Sequence, residues 1–347
     1  MFAQIMARTT SAIALAAFTW VSAAQASPCN GRYSAVGCFD AGSLPGPAEP
    51  SPWRLLGLSK PLAFSDLAAT AIVSYSSRPA ELSVAGPDPN GRIIPVVDHS
   101  TRLDLRAAYG VGRGLDLLAA IPAAISQSGS GPDVLGAQRP EPLDTRAIGD
   151  PKAGVRFALP EKLESLSWSI RVMASAPLGS ERAYLGWPSF TESVGLGASY
   201  QRSGWLLAAD TSLNVMRPVR FGDLRLGTSC AVVLGIARRL FDDRVMLSIE
   251  SGIQPMLIDS PAPQEGAGRV TWLAPAQWLG GVSWRPGTGP LLISAAAGTA
   301  LALSHRDRGR LVPEGVSVDQ WFEAPSIPRW RALISVSGQW TSDPGSH

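Results

Sequence analysis

The stretch Trp330-Arg331-Ala332-Leu333-Ile334-Ser335-Val336-Ser337-Gly338-Gln339-Trp340 decides the fold. One parity carries Trp330, Ala332, Ile334, Val336, Gly338 and Trp340; the other carries Arg331, Leu333, Ser335, Ser337 and Gln339. This is alternation of period two, apolar against mostly polar, with an aromatic at each end. The run has the ~9–11 residues with which a tilted strand crosses a bilayer and exceeds the ~5–6 of an ordinary soluble strand. It reads as the closing strand of a transmembrane β-barrel.

Working outward, similar runs lie near 66–76, 99–109, 115–125, 149–159, 166–176, 192–201, 205–215, 223–237, 245–254, 275–284 and 291–301, about twelve in all. The connections alternate. Long segments (77–98, 126–148, 177–191, 255–274, 302–329) interleave with short ones (110–114, 160–165, 202–204, 238–244, 285–290), and 216–222 is of moderate length. Short periplasmic turns and longer extracellular loops are the pattern of bacterial outer-membrane barrels. An even strand count puts both ends of the barrel on the periplasmic side. The fold class expected is all-β: a closed antiparallel transmembrane barrel over residues 64–340, with a tail at 341–347.

The bulk composition agrees. Charged residues make up 17% of the chain, below the ~25% of soluble domains. The mean hydropathy of +0.10 falls between soluble enzymes and helical membrane proteins, as it should when only alternate residues meet lipid. A net charge of +2 leaves no footprint for nucleic acid.

Residues 1–26 read as a secretory signal peptide. Arg8 supplies the basic region, Ser11 to Ala23 the apolar core and Ala24-Gln25-Ala26 the cleavage site, so the mature chain is expected to start at Ser27. Pro28 argues against a lipoprotein at Cys29. The best later apolar run, Leu291 to Leu303, is about thirteen residues and is broken by Ser294, Gly298 and Thr299, too short for a membrane helix. Export, bilayer-length strands and no such helix together imply the bacterial outer membrane.

Residues 27–63 are rich in Pro and Gly, with Trp53-Arg54-Leu55-Leu56 as their apolar cluster. They are expected to form a periplasmic extension or a segment tucked into the barrel mouth. Cys29 and Cys38 flank a short loop there and are expected to pair in an oxidising compartment. Cys230 reads as a small lipid-facing hydrophobe. With three His residues in the chain, neither a metal site nor a cofactor is expected.

The apolar parity places Tyr109, Phe157, Trp168, Tyr200, Trp205, Trp284 and Trp340 near the short-turn ends of seven strands, an expected aromatic girdle where lipid meets water. The other parity must then face the lumen, because Arg or Lys on the lipid face near the midplane costs ~2–4 kcal/mol. It carries Arg102, Asp104, Arg106, Asp116, Lys152, Arg156, Arg171, Asp210, Arg225, Glu250 and Arg331, with Asn214 and Gln277: seven cations against four acids. Two readings of this interior stand. An Arg-rich wall would favour passage of a small anionic solute. Alternatively, pairs such as Arg102–Asp104 and Arg106–Asp116 would neutralise and fill it, since buried charges are usually paired.

Catalysis is not expected. Asp98-His99-Ser100 spells a triad in miniature, but successive strand residues point to opposite faces, so His99 is parted from its neighbours. Gly110-Val111-Gly112-Arg113-Gly114 could mimic a nucleotide loop, yet a strand follows it, so no helix N-terminus is there to hold phosphate. It reads as a turn.

Three stretches carry a resemblance: Tyr109-Gly110-Val111-Gly112-Arg113-Gly114-Leu115-Asp116-Leu117, Ile148-Gly149-Asp150-Pro151-Lys152-Ala153-Gly154-Val155-Arg156, and Ala176-Pro177-Leu178-Gly179-Ser180. Over roughly residues 65–340 the chain resembles Gram-negative outer-membrane barrels, namely the N-terminal barrels of OmpA-family proteins and those associated with phenol-degradation meta-pathway transport. The resemblance implies an outer-membrane location and solute passage. An OmpA-family protein would continue into a peptidoglycan-binding domain, whereas seven residues follow Trp340 here, so cell-wall anchoring is not expected.

The expected function is a passive porin-like channel for small solutes, or a plugged structural barrel. Its expected partners are outer-membrane lipid and, through the C-terminal strand, the outer-membrane assembly machinery. The alternatives are a barrel enzyme acting on envelope lipid and a secreted soluble β-sandwich binding protein.

Overall fold

A computed structural model describes residues 51, 53, 55–57, 60–84, 92–131, 143–159, 165–221, 224–259, 272–273, 275–287, 289–301 and 328–341. The expected signal peptide and the Cys29–Cys38 pair lie outside these residues. Twelve strands build the wall: β1 (Leu67–Val84), β2 (Arg92–Gly112), β3 (Leu115–Ser128), β4 (Lys152–Ala158), β5 (Leu166–Ser175), β6 (Thr191–Arg202), β7 (Trp205–Met216), β8 (Leu224–Leu240), β9 (Val245–Ile253), β10 (Ala276–Trp284), β11 (Leu291–Ala300) and β12 (Trp330–Trp340). Short ladder pieces accompany them at Ala147–Ile148, Val219–Phe221, Met256–Asp259 and Trp272–Leu273.

Each strand pairs antiparallel with its sequence neighbours. β12 then pairs with β1, from Leu67↔Trp340 to Ser77↔Trp330, and closes the sheet. Closure matters in a bilayer, where an open edge would leave backbone donors and acceptors with no partner.

The alternation read in Trp330–Trp340 holds in space. Ile334 and Val336 are exposed while Leu333 and Ser335 are buried. The same parity gives an apolar exterior around the barrel, with Leu105, Leu117, Val172, Val194, Leu213, Leu234 and Leu247 all exposed. The inner faces carry small polar residues that pair across strands. Thr70 Oγ1 donates to Ser337 Oγ at 2.9 Å, and Ser294 Oγ to Ser283 Oγ at 2.9 Å.

Two of the short connections are tight turns. At Gly112-Arg113-Gly114 all three φ angles are positive (93°, 56° and 79°), the conformation glycine adopts without penalty. Ser203 and Gly204, also at positive φ, turn β6 into β7.

One expectation needs correction. The segment 77–98 is not a loop throughout, because Ala80–Val84 pair with Arg92–Val97 and prolong the β1–β2 hairpin. The register shifts between Ser77 and Ala80, and Arg78 takes a φ of 51° there. This bulge carries the chain past Pro79, which has no N–H to give to a ladder. At 18 and 21 residues, β1 and β2 exceed what a bilayer crossing needs and rise beyond the wall at the long-loop end.

Candidate functional site: the barrel interior

Among the described residues, two polypeptide segments enter the interior from opposite ends. The first precedes β1. Ser65 N donates to Gly110 O at 2.9 Å and Gly110 N to Asp66 O at 2.9 Å, so the incoming chain crosses directly over Gly110. A Cβ there would lie 2.0 Å from Ala63 O. Gly110 in the quoted motif is therefore a crossing point, and it lies within β2 opposite Asp116 rather than in the turn expected there. Leu62 packs with Ala68, Ala108 and Leu118 just inside the short-turn end.

Further in, Trp53, Leu55 and Leu56 are buried against Ile72, Leu206, Val233, Met246, Leu279 and Leu333. These wall residues come from six strands and share the inward parity, so the cluster is the lumen itself. Of the two placements considered for residues 27–63, the described part lies inside the barrel and is not a periplasmic extension. The wall is shaped to receive it: a Cβ at Gly235 would meet Leu56 Cδ1 at 2.4 Å and Trp53 Cζ3 at 2.8 Å. Each such side chain taken out of water contributes about 1.5–3 kcal/mol.

Two wall carboxylates hold the main chain of this plug. Leu55 N donates to Glu250 Oε2 at 2.7 Å, and Leu62 N donates to Asp116 Oδ1 at 3.1 Å. Asp116 is held in turn by Arg156, whose Nε and Nη2 lie 2.8 and 2.5 Å from Oδ2, with both side chains fully buried. Asp116 stands directly opposite Arg156 in the β3–β4 register, which is why this partner takes it.

A second ion pair joins Arg171 on β5 to Asp210 on β7. β6 runs between them, and it presents Gly195 and Gly197 at the crossing. A Cβ at Gly195 would meet Arg171 Nη2 at 3.1 Å, and one at Gly197 would meet Asp210 Oδ2 at 3.4 Å. The Gly-x-Gly spacing in a strand is the sequence trace of that pair.

The second segment, residues 176–190, folds inward from the long-loop end. Ala183, Tyr184 and Leu185 are buried, and Ala183 and Leu185 pack on Ala124. Inward residues of β2 and β3 hold its carbonyls: Arg102 Nη2 donates to Tyr184 O at 3.3 Å and Gln127 Nε2 to Ala183 O at 3.1 Å. Asp150 is its clamp. Gly179 N donates to Oδ1 at 2.8 Å, Trp187 N donates to Oδ2 at 2.7 Å, and Asp150 N donates back to Leu185 O at 3.2 Å. Cβ atoms at Gly179 or Gly186 would each come within 2.8 Å of Asp150 Oδ1. Two of the quoted motifs, Gly149-Asp150 and Pro177-Leu178-Gly179-Ser180, thus meet in one structure. Asp150, Gln127 and Tyr184 were not among the expected lumen residues. The long loops outside the strands hid Tyr184, although the motif containing Asp150 pointed to it.

The remaining expected residues are placed as follows. Arg106 is buried, and Asp104, Lys152 and Arg331 are partly buried on the lumen face. Arg225 sits in β8 opposite Asp259 and Arg220. Tyr109, Phe157, Trp168, Trp205, Trp284 and Trp340 are exposed on the outer wall and Tyr200 is partly so, with the Arg238 guanidinium 5.0 Å from the Trp205 ring centroid. Cys230 carries a free thiol. Asp98-His99-Ser100 is no triad: His99 Nδ1 lies 2.5 Å from Tyr75 Oη and Nε2 lies 3.1 Å from Asp98 Oδ2, while Ser100 is buried on the opposite face.

No protein-family model matches the chain, and no curated protein does. Solved structures do. The COG4313 outer membrane channel from Pseudomonas putida F1 aligns with 84% of this chain and all of its own length, at 13% identity and a TM-score of 0.58. The NanC porin covers 77% of this chain and 98% of its own at 7% identity and a TM-score of 0.42, and the P. putida toluene transporter TodX 81% and 92% at 10% identity and 0.36. The first likeness establishes a shared fold: the chain is a closed antiparallel barrel of the kind found in the bacterial outer membrane.

Proposed function

We propose that this chain is a passive outer-membrane channel for small solutes, closed at its periplasmic end by its own residues 51–62. The observation that carries the reading is the burial of Trp53, Leu55 and Leu56 among inward-facing residues of the wall. A barrel whose only role was structural could fill its lumen with large wall side chains. This wall instead sets small residues such as Ala208, Gly235 and Ala237 among its larger ones, and a separate segment occupies the room they leave. Its described residues belong to no strand, so they can withdraw without breaking a strand ladder. Short turns face the periplasm in such barrels, which puts the plug on that side.

We infer a preference for small anions from the count of inward-facing charges, seven cations against four acids. Arg102, Arg106, Lys152, Arg156, Arg171 and Arg331 stand on the inner face with Asp104, Asp116, Asp210 and Glu250. Rings of cationic side chains favour anions in pores.

Planar-bilayer conductance tests the proposal. The full mature chain is expected to give rare, brief steps. A chain lacking residues 27–60 is expected to give sustained steps with an anion-to-cation permeability ratio above one. Silence from the truncated chain would return the barrel to a structural role.

A further inference from the structure

Outside the lumen, the lipid-facing wall carries a groove of about 600 Å³ where β10, β11, β12 and β1 adjoin. The ladder registers explain it. Gly280 pairs with Ala297, Ala297 with Ala332 and Ala332 with Tyr75, so three small residues in one row end against a tyrosine. The next row, Val282, Ala295, Ile334 and Val73, forms the other lip. Elsewhere the outer wall is studded with Leu, Val and Ile.

The groove has one polar end. Tyr75 stands 4.8 Å, ring to ring, from Trp330 and 5.8 Å from His99, with which it stacks. From there contacts run outward through His99 to Asp98 at 3.1 Å and on to Arg78 at 3.3 Å. Arg329, exposed beside Trp330, donates its N–H to Ser77 O at 2.9 Å. This end lies on the long-loop side, which in a barrel of this orientation is the outer leaflet.

We propose that the groove seats an acyl chain of a phosphorylated outer-leaflet lipid, with Arg78, Arg329 and His99 at its headgroup. Apolar contact alone would not select a lipid here, because a tail gains little by leaving one hydrocarbon surface for another. Selection has to come from shape and from the headgroup end. Both are present: a hollow in an otherwise bulky wall, and guanidinium groups suited to phosphate oxygens. Tyr75 and Trp330 are the amphipathic rings found at that depth. A second copy of the chain could also pack on small residues, but the cations beside the groove match a phosphate better than the apolar outer wall of another barrel.

Native mass spectrometry of the full mature chain in mild detergent decides the matter, with phosphatidylglycerol, lipid A and phosphatidylcholine added separately. Either anionic lipid is expected to be retained at one copy, at least fivefold better than phosphatidylcholine. Ala297→Trp, which fills the groove from the lipid side, is expected to cut retention tenfold or more while the heat-modifiable gel shift stays unchanged. The double variant Arg78→Gln/Arg329→Gln is expected to bring the anionic lipids down to the level of phosphatidylcholine. Wild-type retention by Ala297→Trp would overturn the proposal, and so would equal retention of all three lipids by the unmodified chain. A dimer that Ala297→Trp converts to monomer would overturn it too, by making a second copy the occupant.

Discussion

The two described segments that occupy the lumen are held by the same kinds of contact in different proportions. Among its described residues, the plug at the short-turn end is held mainly by buried apolar side chains, with one hydrogen bond each to Glu250 and Asp116. The 176–190 segment is tethered at both ends and is held by main-chain groups gathered around one carboxylate, Asp150. Apolar packing is non-directional, which on the proposed function would let the plug leave and return as a unit. A clamp of charge-assisted hydrogen bonds fixes a shape. On the proposed function, the first end is the one that opens and the second keeps its shape.

Arg156→Ala is expected to have the largest effect, because it strikes the wall and the plug together. It leaves Asp116 buried without its guanidinium, a loss of about 3–5 kcal/mol for such a pair. The temperature of the heat-modifiable gel shift should fall, and Arg156→Ala/Asp116→Ala should recover part of it. An unchanged temperature would mean that Asp116 and the plug above it do not depend on this pair.

Next is Asp150→Ala, which removes two hydrogen bonds to a charged group, of about 1.5–3 kcal/mol each. Its effect should stay in the long-loop segment. Faster hydrogen exchange at Gly179 and Trp187 and protease cleavage between 176 and 190 are expected, with the gel shift unaltered. A global loss of stability would erase the contrast between the two ends.

Gly235→Val tests the plug from the wall side. The added carbon falls where Leu56 and Trp53 pack, and overfilling a packed site costs about 1–3 kcal/mol, a roughly 5- to 150-fold shift toward the open form. Open time in planar bilayers should rise accordingly. Closed behaviour like that of the parent chain would show that the plug tolerates displacement without opening the pore.

Glu250→Gln should be the mildest. Gln still accepts from Leu55 N but without the charge, a change of about 1 kcal/mol, seen as a few-fold rise in open events. No rise would assign the hold on the plug to apolar packing alone.

The wall was legible in the sequence. Alternation is a local property, since each residue of a strand faces opposite to its neighbour, and Trp330–Trp340 shows this without reference to any other part of the chain. Strand number, turn positions and the faces of Arg156, Arg171 and Ile334 followed from the same rule. The expected extent of the first loop failed where a bulge at Arg78 let β1 continue past Pro79. The glycines at 110, 195, 197 and 235 are visible in the sequence, but their purpose is not, because each makes room for a group far away along the chain.

What the sequence determined alone is therefore the barrel and which side of each strand meets lipid. Only the tertiary structure decided what fills the barrel, that Asp116 is taken by Arg156, and that Trp53 and Leu56 rest over Gly235. Face is set by a residue's immediate neighbours, whereas lumen partners are set by register and closure across the whole sheet, which bring together Leu55 and Glu250 from 195 positions apart.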